Sequence, residues 1–138
     1  MATVPQAPGE STPGDAPAPP PRTPLCPLDA LPPVGHARGF DPAKSGRDTV
    51  FALRRNDGIR VYHNHCPHQG VPLEYRKDRF LSGDGQRVLC YAHGAHFDAD
   101  SGLCTDGPCR GMSLTSLPLV VEDGWLYLAL PPDSPVLR

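Results

Sequence analysis

The chain has 138 residues, with 13 Lys+Arg against 15 Asp+Glu and a formal net charge of -2. That length fits one domain of ordinary size. The near-neutral balance offers no electrostatic footprint for nucleic acid and no basic helix for a membrane surface. No run approaches the roughly 20 apolar residues of a membrane span. The first ten residues show no basic stretch followed by an apolar one, so no secretory signal is expected and a cytoplasmic location is.

Taken in chain order, the first element is a tail. Gly 14 and Pro 19 make up nearly a quarter of the residues, and 11 of the prolines lie between Met1 and Pro33. Residues 1–24 are mostly Pro, Ala, Gly, Ser and Thr, with almost nothing large and apolar to bury. Such a segment cannot offset the entropy of ordering, so it reads as a disordered, partly polyproline-II tail. The body is expected over residues 25–133.

Thr49-Val50-Phe51-Ala52-Leu53-Arg54 reads as a strand, Asn56-Asp57-Gly58 as a tight turn and Ile59–Tyr62 as the return strand. Arg79–Leu81 and Gln86–Leu89 flank Gly83-Asp84-Gly85 in a second hairpin. Leu117–Val121 and Trp125–Leu130 flank Glu122-Asp123-Gly124 in a third. No stretch sustains a helical period. Short strands with Gly-containing turns imply an all-β body. Trp125 and Tyr127 fall on one face of the last strand and are expected in the core.

Two segments carry the chemistry: Cys66-Pro67-His68-Gln69-Gly70 and Cys90-Tyr91-Ala92-His93-Gly94. Each follows a predicted strand and offers one thiolate and one imidazole. Zinc accepts two thiolates and two imidazoles in a tetrahedral cage. A binuclear iron–sulfur cluster accepts them when the two irons take different pairs. Zinc fingers usually keep cysteines in one segment and histidines in the other, whereas here each loop mixes the types. There are five cysteines, an odd number, which argues against a disulfide framework. Cys26, Cys104 and Cys109 read as small buried thiols. His63, His65 and His96 read as solvent-facing. The Arg76–Arg79 run reads as a solvated turn, with docking of an acidic partner as its functional alternative.

The Cys66-x-His68 and Cys90-x2-His93 pair resembles the signature of Rieske-type [2Fe–2S] proteins. The resemblance runs from about Leu25 to Leu130 and takes in His93-Gly94-Ala95-His96-Phe97-Asp98 and Gly107-Pro108-Cys109. It implies an all-β, Rieske-like fold: a small antiparallel sandwich or barrel with a cluster-binding subdomain of two loops. It implies one [2Fe–2S] cluster, with Cys66 and Cys90 on the inner iron and His68 and His93 on the outer. Gly107-Pro108 resembles the proline loop that shields the cluster from a third side. The 21 residues between His68 and Cys90 exceed the usual family spacer. The Arg79–Leu89 hairpin is expected to hold the excess.

High-potential members of the family carry a disulfide between the loops. Val71 and Ala92 stand at the matching positions. Those members also place Ser and Tyr where Ala95 and Phe97 stand here. Hydrogen bonds to cluster sulfur favour the reduced form, so their loss implies a low potential. In these respects the chain resembles the soluble Rieske ferredoxins. The implied function is a one-electron carrier, not an enzyme, between a reductase and an oxygenase-type acceptor. The alternatives are a small subunit of a larger oxidoreductase and a structural zinc-binding module.

Overall fold

The computed structural model describes residues 21–67, 71–74, 76–92 and 94–137. Residues 1–20, which hold most of the proline-rich segment, lie outside it, as do His68 and His93. The described chain is built from strands, with two single-turn 3-10 segments at Leu28–Ala30 and Pro135–Leu137. The strands are β1 (Thr23–Pro27), β2 (Ala37–Phe40), β3 (Val50–Arg55), β4 (Gly58–His63), β5 (Arg87–Cys90), β6 (Ala95–Asp98), β7 (Cys104–Asp106), β8 (Leu119–Glu122) and β9 (Trp125–Leu128). They form three antiparallel sheets of three strands, ordered β1-β9-β8, β2-β3-β4 and β5-β6-β7.

β3 organises the interior. Its run Val-Phe-Ala-Leu is apolar on both faces, and all four residues are fully buried. Alternation sends Val50 and Ala52 into one core with Cys26, Phe40, Val61, Leu126 and Leu128. It sends Phe51 and Leu53 into the other, with Tyr62, Phe80, Val88, Phe97 and both Cys66 and Cys90. The Phe51 and Phe80 rings stack 4.2 Å apart. Tyr62 donates its hydroxyl proton to the Ala99 carbonyl at 3.0 Å, and burial pushes its pKa up to about 12. The candidate cysteines therefore hang from a packed scaffold.

The second hairpin ties into the same scaffold. Leu81 bridges Val88 as a single β-bridge rather than a strand, with Leu89 N–H donating to the Phe80 carbonyl at 2.8 Å. Gly85 closes its turn at φ +72°, and a Cβ there would sit 2.7 Å from Gly35 Cα. Arg55 fixes this turn: it donates to the Gly85 carbonyl at 2.9 Å and pairs with Asp100 at 2.6 Å.

Three expectations are corrected. β1 opens at Thr23, inside the segment assigned to the tail, and its two prolines are tolerated because it is an edge strand with a register shift between Pro24 and Cys26. Trp125 and Tyr127 do share a face of β9, but the outer one. Trp125 is exposed and Tyr127 lies beneath the Arg22 guanidinium, while Leu126 and Leu128 fill the core. The Arg76–Arg79 run is more than a solvated turn, because Lys77 Nζ pairs with Asp48 at 2.7 Å and Asp78 Oδ1 accepts from Gly39 N–H at 2.7 Å.

Candidate metal centre

The first loop leaves the end of β4 through Asn64 and His65. Cys66 is fully buried, and its N–H donates to the Val71 carbonyl at 2.8 Å, closing the loop at its root. The second loop leaves β5 at Cys90, also fully buried and paired across the hairpin with Ala95. Gly94 N–H returns to the Cys90 carbonyl at 2.8 Å. The loops are joined directly, since Tyr91 N–H donates to the Leu73 carbonyl at 3.1 Å. A third segment closes in from β7. Gly107, at φ +95°, packs so tightly on Ala95 that a Cβ would lie 2.8 Å from its Cα. This brings Cys109 Sγ within 3.6 Å of Cys66 Sγ.

No disulfide joins any of the five cysteines. Cys26, Cys104 and Cys109 are buried, as expected. Desolvation in the β1 core raises the Cys26 thiol pKa, against the pull of Arg38 and Arg54. His65 is exposed, but His63 and His96 are half-buried rather than solvent-facing. The His63 ring stacks on His65 at 5.1 Å, and burial foremost, then His65 and Arg47, hold its pKa low.

Asn64 is the support that sequence reading missed. It is buried, and its side chain donates to the Asp48 carbonyl at 2.9 Å and to Glu74 Oε1 at 2.7 Å, while its Oδ1 accepts from Leu73 N–H at 2.8 Å. One amide thus spans both ends of the first loop. Only its place beside Cys66 signalled this. Asn64→Leu is close in volume but strands buried polar groups at about 1–3 kcal/mol each. The expected loss is roughly 3 kcal/mol, read as a lower urea midpoint at unchanged slope.

Burial raises the Glu74 carboxyl pKa above the ordinary range, against the Asn64 hydrogen bond. The folded chain therefore holds this proton more tightly than the unfolded one. Glu74 stabilises most below its unfolded pKa, and that contribution is lost as pH rises through the folded value. Glu74→Gln keeps an acceptor for Asn64 without titrating. It is expected to be more stable than the parent at neutral pH and to flatten the pH profile in that window, as urea midpoints across pH 4–8 will show.

Among the described residues no group of three or more metal-ligating side chains occurs. The described half of the expected donor set is two buried thiols at the roots of two hydrogen-bonded loops. That pair suits a thiolate-held iron–sulfur cluster, with the two remaining positions left to residues outside the description.

The family model for the Rieske [2Fe-2S] domain matches residues 24–118. No curated protein sequence matches significantly. Among solved structures, the ferredoxin of carbazole 1,9a-dioxygenase from Nocardioides aromaticivorans IC177 is 23% identical at a TM-score of 0.60, over 80% of this chain and 98% of that one. A Sphingomonas yanoikuyae B1 ferredoxin is 21% identical at 0.58, over 80% and 99%. The terminal oxygenase of the Nocardioides carbazole system is similar at 0.58 and 21% identity, over 79% of this chain but 30% of its own length. These likenesses share the fold, which stands alone in the ferredoxins and as a part of the oxygenase. The family match covers most of the chain and agrees with the paired thiols: this chain belongs to the Rieske [2Fe-2S] domain family, whose members hold one [2Fe–2S] cluster.

Proposed function

We propose that the chain is a one-electron carrier that takes an electron from a reductase and delivers it to an oxygenase-type acceptor. The carrying observation is the pair of buried, loop-root cysteines within a chain whose family match spans residues 24–118. Cys66 and Cys90 bind one iron through sulfur, and His68 and His93 bind the other through ring nitrogens. The cluster supplies the electron chemistry, and the protein sets its potential and docking surface. The likeness to ferredoxins of about the same length supports a carrier rather than an enzyme. One similar structure, 21% identical at a TM-score of 0.59, is a complex of reduced oxygenase and oxidised ferredoxin. No helix among the described residues is long and apolar enough to cross a membrane. We place the carrier in the cytoplasm, with a proline-rich tail that ends before β1 at Thr23 and a cluster domain that runs from there to about residue 133.

Aerobic purification with an absorption spectrum and assays of iron and acid-labile sulfide tests the cluster. A red-brown protein that bleaches on reduction is expected, whereas a colourless zinc protein overturns the reading. Electron delivery is then tested by mixing the reduced protein with a Rieske oxygenase and following reoxidation in a stopped-flow instrument. Absence of reoxidation with several such acceptors counts against the oxygenase assignment.

A further inference from the structure

We propose that the Cys109 thiol donates a hydrogen bond to the Cys66 sulfur and so eases reduction of the cluster. This rests on the reading of Cys66 as an iron ligand. The two sulfurs lie 3.6 Å apart and both residues are fully buried. A ligating cysteine is a thiolate and has no proton to give, so the direction of the bond is fixed: Cys109 donates and Cys66 accepts.

Cys109 is held where it can do this. It sits in a turn in which Met112 N–H donates to its carbonyl at 2.8 Å. The far side is pinned by Cys104 N–H on the Met112 carbonyl at 2.9 Å. The near side is pinned by Gly107 against Ala95. These contacts fix the backbone of the turn, and the Cys109 side chain that it carries is fully buried. A buried cysteine is usually only a small apolar filler. Here its polar hydrogen has an anionic acceptor within reach, inside a low-dielectric core that strengthens the bond. Reduction adds negative charge to the iron–sulfur unit, and a donor to its sulfur stabilises that form more than the oxidised one. Cys109 acts through Cys66 and is a positioning residue, not a ligand.

The test uses the full chain with its cluster, after iron, sulfide and the visible spectrum have been measured. Cys109→Ala is expected to load fully but to be harder to reduce, by a factor of about three to ten in the reduction equilibrium. A factor of ten is a shift of about 59 mV for one electron. Cys109→Ser restores a donor and is expected at or above the parent midpoint. Infrared difference spectra of parent minus Cys109→Ala should show an S–H stretch lowered in frequency by hydrogen bonding. A fully loaded Cys109→Ala with the parent's midpoint or a higher one overturns the proposal. Should Cys109→Ala fail to load, a Cys109→Ser midpoint below the parent's does so. A parent without iron, or a Cys66→Ser variant that keeps its full cluster, removes the ligand reading itself and this proposal with it.

Discussion

Cys66→Ser or Cys90→Ser is expected to abolish the cluster and lower the thermal midpoint by roughly 10 °C or more. The physical reason lies in how little else holds the two loops. Besides the Asn64 amide that spans the first loop, their described ties include Cys66 N–H to Val71, Gly94 N–H to Cys90 and Tyr91 N–H to Leu73. Each of these three is a neutral backbone hydrogen bond worth about 1 kcal/mol net. Bonds from both cysteines to one cluster would act as a covalent staple between the loops that follow β4 and β5, and the free energy of that staple would belong to folding. His68→Ala is expected to lose the cluster as well. His65→Ala is not, because His65 is exposed and stacked on His63 rather than turned into the core. Iron and acid-labile sulfide per chain, with a thermal melt on each variant, decide the matter. Loss of the cluster in His65→Ala together with its retention in His68→Ala would falsify the ligand set.

What could be read in advance depended on whether local pattern or distant contact set each element. The β3–β4 hairpin was legible, since Asn56-Asp57-Gly58 marks its turn and the expected strands at 49–54 and 59–62 fall within a residue or so of Val50–Arg55 and Gly58–His63. The terminal hairpin was legible for the same reason, with Gly124 at φ +80° in its turn. β1 and β2 were not. β1 carries two prolines and is ordered by pairing with β9, about a hundred residues away. β2 contains Gly39, whose missing Cβ leaves room for the Asp48 carboxylate. Neither device shows in a local pattern. β6 was hidden by its own chemistry, because Ala95-His96-Phe97-Asp98 reads as part of a ligand motif before it reads as a strand. The misplaced Trp125 and Tyr127 show that alternation identifies a shared face, not which face is inside. At the site, spacing singled out the two loops, and the structure buries Cys66 and Cys90 in one core, whereas the Asn64 bridge and the Cys66–Cys109 approach are tertiary contacts with no sequence signal.

β6 also carries the prediction on potential. Ala95 and Phe97 alternate onto the same inward face, both fully buried in the core that contains Cys66 and Cys90. These are the two positions where high-potential Rieske proteins are expected to carry hydroxyls that donate to sulfur. The strand thus presents the right face with the donors removed. Val71 is half-buried and Ala92 exposed, and neither offers a thiol to brace the loops. With two thiolates and two neutral imidazoles as ligands, an oxidised [2Fe–2S] cluster would be formally uncharged, and reduction would add a negative charge. Fewer donors to sulfur leave that charge less stabilised. The midpoint is therefore expected at the low end of the roughly −150 to +300 mV Rieske range, with the Cys109 thiol as a partial offset. Ala95→Ser and Phe97→Tyr are each expected to raise it, and the double variant further. A hydrogen bond to a charged group is worth about 1.5–3 kcal/mol, but only the difference between oxidation states moves the potential. Since 59 mV corresponds to about 1.4 kcal/mol for one electron, each hydroxyl is expected to add some tens of millivolts. Stability separates success from burial without a partner. The Phe97 ring is fully enclosed, so a tyrosine hydroxyl there either finds a sulfur or stays unsatisfied at a cost of about 1–3 kcal/mol. A raised midpoint with little loss of stability means that the hydroxyl reached sulfur. A parent midpoint near +300 mV, or a fall on adding the hydroxyls, would show that backbone donors to sulfur, rather than the side chains of β6, set the potential.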